Sequence, residues 1–122
     1  MNFRVLYVDD EPDIREVAAL SLELDETFTV RTCSSGTEAL VEAPKFEPHL
    51  ILLDVMMPGM DGPETLRQLK ADPRTSDVPI VFVTAKTQTT EIARFLAIGA
   101  AGVIRKPFDP MTLAAQARGF LS

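Results

Sequence analysis

With 122 residues, 46% of them hydrophobic and 25% charged, the chain is long enough to bury a core of its own without disulfide or metal staples. Its one cysteine, Cys33, excludes an internal disulfide and fits a reducing compartment; no apolar run approaches the ~18 residues of a membrane span, and the start "MNFRVLYVDD" lacks a signal-peptide pattern, so a cytoplasmic protein without membrane insertion is expected. A net charge of −6 works against direct nucleic-acid binding, which needs a basic face.

Apolar runs and helical patterns alternate along the chain. "FRVLYV" (3–8) is β-branched and aromatic and runs into the acidic "DDE". Pro12 suits the first position of a helix, after which Ile14, Val17, Ala18, Ser21 and Leu22 recur at one-sided helical spacing. "FTVRTC" (28–33) reads as a half-buried strand and "SSGTEALVEA" (34–43) as a short helix with a Ser or Thr cap. The continuous apolar run of "HLILLD" (49–54) predicts a fully buried strand. A helix over "PETLRQLKA" (63–71) carries Pro63 in its first turn, and "VPIVFVT" (78–84) is a second buried strand. "TTEIARFLAIG" (89–99) predicts a helix with Ile92, Phe95 and Leu96 on one face and Gly99 at its C-terminal stop. "AGVIRK" (101–106) is a short fifth strand, and Asp109 with Pro110 opens a final helix through about Leu121.

Five successive strand–helix units predict an α/β fold, a doubly wound parallel sheet with right-handed crossovers and helices on both faces. The last helix uses up the chain, so one domain over residues 1–122 with no output domain is expected. Ligands of such sheets sit outside the carboxyl ends of the strands. Those ends carry Asp9 and Asp10 after the first strand, Asp54 at the third, Thr84 at the fourth and Lys106 at the fifth. His49 stands at the opposite end of the third strand and reads as an ordinary strand-edge residue.

Three carboxylates in one crevice pose an electrostatic problem. Two like charges ~5 Å apart at an effective dielectric near ~20 repel by roughly 3 kcal/mol, so such a cluster asks for a cation. An oxygen-only donor set without His or Cys suits a hard divalent ion, Mg²⁺ above all. A carboxylate beside Mg²⁺, with a lysine and a threonine hydroxyl to hold anionic oxygens, matches phosphoryl transfer with the carboxylate as covalent acceptor. The glycine-rich turn "MPGMDG" folds the backbone tightly beside Asp54 and leaves that acid open at the strand end.

The motifs "VDDE" (8–11), "LLDVMMPGMDG" (52–62), "VTA" (83–85) and "KPF" (106–108), in this order and spacing, resemble the receiver domain of a two-component response regulator, similar to the stand-alone chemotaxis type. The resemblance covers essentially the whole chain. It implies a flavodoxin-like (βα)5 sheet in strand order 2-1-3-4-5, and Asp54 as the acceptor of a phosphoryl group from a histidine kinase or histidine phosphotransfer protein. It further implies Mg²⁺ held by Asp9, Asp10, Asp54 and the backbone carbonyl of Met56, Thr84 and Lys106 on the phosphoryl oxygens, and a cis Lys106–Pro107 peptide. The domain would catalyse its own phosphorylation and dephosphorylation without being an enzyme in the usual sense, and would act on a downstream protein target. Met56 and Lys86 take positions that in this family influence how fast the phosphate is lost. Val103 departs from the pattern: many receivers carry there an aromatic residue that swings inward, and valine has no ring to bury.

Three other readings fit less well. A haloacid-dehalogenase-type phosphatase needs a second acid two residues after the nucleophile, where this chain has Met56. A flavodoxin-like electron carrier needs a hydroxyl-rich loop after the first strand, and "DDEPD" would repel a phosphate. A degenerate receiver that binds partners without phosphorylation usually lacks an acid or the lysine, and both are present here.

Overall fold

The computed structural model describes residues 2–121. In chain order the elements are β1 (Phe3–Val8), α1 (Pro12–Leu22), β2 (Phe28–Cys33), α2 (Gly36–Phe46), β3 (Leu50–Asp54), α3 (Gly62–Ala71), β4 (Ile80–Thr84), α4 (Thr89–Ala97), β5 (Gly102–Arg105) and α5 (Leu113–Arg118). The strands form one parallel sheet in the order β2-β1-β3-β4-β5, the flavodoxin-like arrangement expected from the sequence.

The alternation of strand side chains decides which helix packs where. Leu6, Val8, Ile51, Leu53, Ile80 and Phe82 point to one face, against residues of α2, α3 and α4 such as Ala39, Leu66 and Phe95. Val5, Tyr7, Leu50, Leu52, Val81 and Val83 point to the other, against Ala18 and Leu22 of α1 and Leu113 and Ala117 of α5. The central strands β3 and β4 are buried on both faces, which is why they read as unbroken apolar runs, whereas the edge strand β2 alternates. Among the described residues no helix is long and apolar enough to cross a membrane.

Local chemistry sets most helix ends. The Ser35 hydroxyl accepts from the Glu38 N–H to start α2, and the Asp61 carboxylate accepts from the Glu64 N–H to start α3. Helix α4 stops as the sequence indicates. Gly99 adopts φ +115°, its N–H donates to Leu96 O and the Ala100 N–H donates to Phe95 O, a Schellman closure.

Several expectations need correction. Helix α2 passes through Pro44 and ends at Phe46, with Glu47 in the left-handed region at φ 53°. A proline this near a helix end disturbs little beyond one hydrogen bond, and Phe46 gains burial in the core and an Arg31 guanidinium over its ring by continuing. Helix α5 is only Leu113–Arg118, because residues 109–112 form a turn: Asp109 O accepts from the Thr112 and Leu113 N–H groups and Asp109 Oδ1 from Met111 N–H. Val17 and Leu96, assigned to core faces, are 42% and 47% exposed. Met57, in the loop after β3, is buried in the core.

The tightest backbone approach lies beside β3. The Gly62 N–H donates to Val55 O at 2.9 Å, which closes the 55–61 loop and brings the start of α3 against the end of the strand. A Cβ at Gly62 would come within 2.5 Å of Asp54 O and 2.8 Å of Val55 Cα, both backbone atoms. Gly62→Ala is therefore expected to destabilise the fold by about 2 kcal/mol, read as a lower urea midpoint at unchanged slope; an unchanged midpoint would show that the loop yields freely.

Candidate functional site

The four strand ends that carry polar groups meet at one edge of the sheet. Asp9 follows β1, Asp54 closes β3, Thr84 closes β4 and Lys106 follows β5, and the parallel registers keep these ends level with one another. One carboxylate oxygen from each of Asp9, Asp10 and Asp54 lies within 4.8 Å of the others. Asp9 is wholly buried, Asp54 is 4% exposed and Asp10 sits at the partly exposed rim.

Lys106 binds this cluster together. Its Nζ donates to Asp9 Oδ2 at 2.8 Å and lies 3.5 Å from Asp54 Oδ1. Asp9 is further held by two donors from its own stretch of chain. Its Oδ1 accepts from the Glu11 N–H at 3.0 Å, and its Oδ2 accepts from the Tyr7 hydroxyl at 3.1 Å. The Arg15 guanidinium donates to the Asp9 backbone carbonyl at 2.8 Å. Neither Asp9 nor Asp10 caps α1: its N-cap is Glu11, which makes no side-chain capping bond.

Thr84 is buried, and its Oγ1 accepts from the Lys86 N–H at 3.0 Å. Accepting that bond leaves the hydroxyl proton available to donate towards an anionic oxygen. The Lys106–Pro107 peptide is cis. Met56 is exposed, and with Lys86 it lines a cleft of about 700 Å³ between the 55–61 loop and Arg94, Phe95 and Ile98 at the C-terminal end of α4. Val103 packs partly buried against the core next to Phe82, its register partner, whose ring meets Phe95 edge-on at 4.9 Å. The aromatic mass on this side therefore comes from β4 and α4 rather than from β5.

The electrostatics follow from burial. Three carboxylates and one ammonium leave two negative charges uncompensated. Burial, and after it the Asp9 charge, push the Asp54 carboxyl up to about 6; the Lys106 ammonium opposes this and Asp10 adds to it. Burial alone would pull the Lys106 ammonium down, but the hydrogen bond to Asp9 and the Asp54 charge outweigh it and the net shift is upward, so the lysine stays charged. The donor set is oxygen only: Cys33 is buried at the end of β2, and His49 lies at the opposite end of β3, where its Nδ1 accepts from the Arg4 N–H. Oxygen donors, close spacing and excess negative charge together fit a hard divalent cation.

Gly62 closes the turn "MPGMDG", which the sequence placed tightly beside Asp54; its contact with Asp54 O bears that out, although the exact approach depends on how α3 docks. One residue that positions the site, Tyr7, was not singled out from the sequence. It did carry a signal: it stands two residues before Asp9 on a strand and so shares its face.

The raised Asp54 carboxyl penalises the folded state whenever it is ionised, above about pH 6, and the penalty fades as pH falls towards the ordinary 3.8. In metal-free buffer at pH 8, Asp54→Asn is therefore expected to be more stable than wild type by roughly 2 kcal/mol, from ~1.4 kcal/mol per pKa unit between 3.8 and about 6, reduced for solvent screening of a group at the sheet edge, with the advantage gone below about pH 4. Urea denaturation across pH checks this, and Mg²⁺ should shrink the gap at pH 8 by stabilising wild type alone.

The model of the response regulator receiver domain family matches residues 5–118. The DNA-binding response regulator MtrA of Mycolicibacterium smegmatis is 40% identical over 121 residues, which are 99% of this chain and 51% of that protein. The phosphate regulon transcriptional regulatory protein PhoB of Pseudomonas aeruginosa is 39% identical over 119 residues, 96% of this chain and 51% of that protein. The chain thus spans about half the length of the curated relatives it matches. Among solved structures, the chemotaxis response regulator CheY4 of Vibrio cholerae matches with a TM-score of 0.91 at 33% identity, covering 99% of this chain and 100% of that one. The acidic strand-end cluster, the sheet order and these likenesses agree, and the chain belongs to the response regulator receiver domain family.

Proposed function

We propose that Asp54 is the phosphoacceptor of this receiver, taking its phosphoryl group from a histidine kinase or a histidine phosphotransfer protein. Receiver domains in general accept a phosphoryl group at an acidic pocket that binds Mg²⁺. The observation that carries the assignment here is the convergence of Lys106 on Asp9 at 2.8 Å and on Asp54 at 3.5 Å, beside a third carboxylate.

Asp9, Asp10 and Asp54, with the Met56 backbone carbonyl, would hold Mg²⁺. When bound, the ion supplies charge neutralisation for the incoming phosphoryl oxygens and keeps Asp54 ionised. A carboxylate oxygen of Asp54 attacks phosphorus. The new P–O bond forms as the P–N bond breaks, and its electron pair leaves on the imidazole nitrogen of the donor. Lys106 pairs with one phosphoryl oxygen and the Thr84 hydroxyl donates to another. Lys86, which lines the cleft beside Met56, alters the access of the water that later hydrolyses the acyl phosphate.

The downstream effect works through populations. Turning Thr84 and Lys106 towards the phosphoryl group favours one arrangement of the 84–90 loop and of the face formed by α4, β5 and α5, and so changes affinity for a protein target. Full reversal from 1:99 to 99:1 would need about 5.5 kcal/mol of differential interaction, so a partial shift is expected. A receiver acting without phosphorylation is the poorer account, because the acids and the lysine are all present and in contact.

Radiolabel from a phosphorylated histidine kinase should appear on wild type in Mg²⁺ and be absent from Asp54→Ala. Lys106→Met is expected to slow labelling by about 10²-fold, in the range for removing one electrostatic stabiliser. Chelation of the metal should abolish it. Equal labelling of wild type and Asp54→Ala would refute the assignment.

A further inference from the structure

Asp9 is the most enclosed acid of the site, and its two oxygens already accept three hydrogen bonds. Two of them fall on Oδ2, from the Lys106 ammonium at 2.8 Å and from the Tyr7 hydroxyl at 3.1 Å. The two donors differ in kind. Lys106 sits on a flexible four-carbon stem after β5 and also lies 3.5 Å from Asp54 Oδ1, within easy reach of anything attached to that carboxylate. Tyr7 is a rigid ring in the middle of a buried strand. It is packed among Val5, Leu52, Val83 and Ile104, and Phe108, just after the Lys106–Pro107 peptide, meets its ring edge-on at 6.5 Å.

A phosphoryl group on Asp54 draws Lys106 towards itself. If the lysine were the sole donor to Oδ2, its departure would leave that oxygen of a wholly buried carboxylate without a hydrogen-bond donor, which is costly. We infer that Tyr7 is a positioning residue of this receiver. Its hydroxyl is the fixed donor on Asp9 Oδ2, and it allows Lys106 to move to the phosphoryl oxygen without stranding the buried acid. Because Asp9 stays partnered, it also keeps its orientation towards Asp10 and Asp54 while the lysine moves. The inference rests on Asp54 being the phosphoacceptor.

The test uses beryllofluoride as the acyl-phosphate analogue, with Mg²⁺ titrated separately by calorimetry. In the resting protein Lys106 still holds Oδ2 when the hydroxyl is lost, so Tyr7→Phe is expected to change Mg²⁺ affinity less than about threefold. Beryllofluoride affinity at saturating Mg²⁺, where the lysine must leave, is expected to fall about tenfold, the loss of one hydrogen bond to a charged group. If both affinities fall together, Tyr7 merely supports the structure and the inference is overturned; if neither changes, it is overturned as well. Tyr7 is the only tyrosine in the chain, so tyrosine labelled with ¹³C at Cζ gives one signal that reports on it in wild type, whatever the stability of the variant. That signal should stay at a hydrogen-bonded position when Mg²⁺ and beryllofluoride are added while the Lys106 ¹⁵Nζ signal moves. A shift of the tyrosine signal to the position of a free phenol would sink the idea. Wild type that binds no beryllofluoride in Mg²⁺ would overturn the Asp54 assignment itself, and the role of Tyr7 with it. Binding by wild type together with an unaltered Tyr7→Phe would overturn only the latter.

Discussion

The contact of one ammonium with two buried carboxylates, Lys106 with Asp9 and Asp54, organises this molecule. It joins residues 97 positions apart and ties the end of β5 to the ends of β1 and β3. Burying acids is unfavourable unless opposite charge and hydrogen bonds accompany them, and here one lysine serves two. The compensation is incomplete. That incompleteness leaves excess negative charge at the edge of the sheet and makes it receptive to a cation.

The scaffold makes such a site possible because it is stiff where the charges sit. Strands β3 and β4 are buried on both faces, and the alternation of their side chains distributes helices to two sides. Their carboxyl ends are thereby held level, with loops free to differ beyond them. The loop after Asp54 is pinned by the Gly62 N–H on Val55 O and by the Asp61 cap of α3, so the acid projects from a fixed backbone. The segment after Thr84 is held more lightly, by the bond from the Lys86 N–H to the threonine hydroxyl. A group that engages that hydroxyl competes with the geometry of the segment. Under the proposed function this would be a physical route from Asp54 towards α4 and β5.

The place of Val103 bears on that proposed route. Without a ring on β5, the face beside the site is built from Phe82 and Phe95, whose edge-on contact links β4 to α4 directly. Displacement at the end of β4 would be transmitted through packed aromatic rings in the core rather than through one side chain alternating between solvent and interior. The cleft between α4 and the 55–61 loop adjoins the same contact through Phe95.

The element order, the parallel sheet and the set of acids, threonine and lysine at its edge were legible in the sequence, because they depend on local rules. Short apolar runs rich in β-branched residues and bounded by turn signals read as buried strands, and strand ends in an alternating α/β chain share an edge. Where the reading failed, long-range packing had overridden a local signal. Pro44 does not end α2 because Phe46 has a place in the core, and Asp109 starts a turn rather than a helix because its carbonyl and carboxylate collect the next N–H groups. Tertiary structure alone decided that Lys106 reaches Asp9 more closely than Asp54, that the Tyr7 hydroxyl shares the same oxygen, and that Gly62 must lie against the backbone of Asp54. These are distances between segments far apart in the chain or set by the way one element docks on another. Local patterns put Tyr7 on the face of Asp9 and Gly62 in the turn beside Asp54, but these distances arise only when the whole sheet and its helices close around the buried charges.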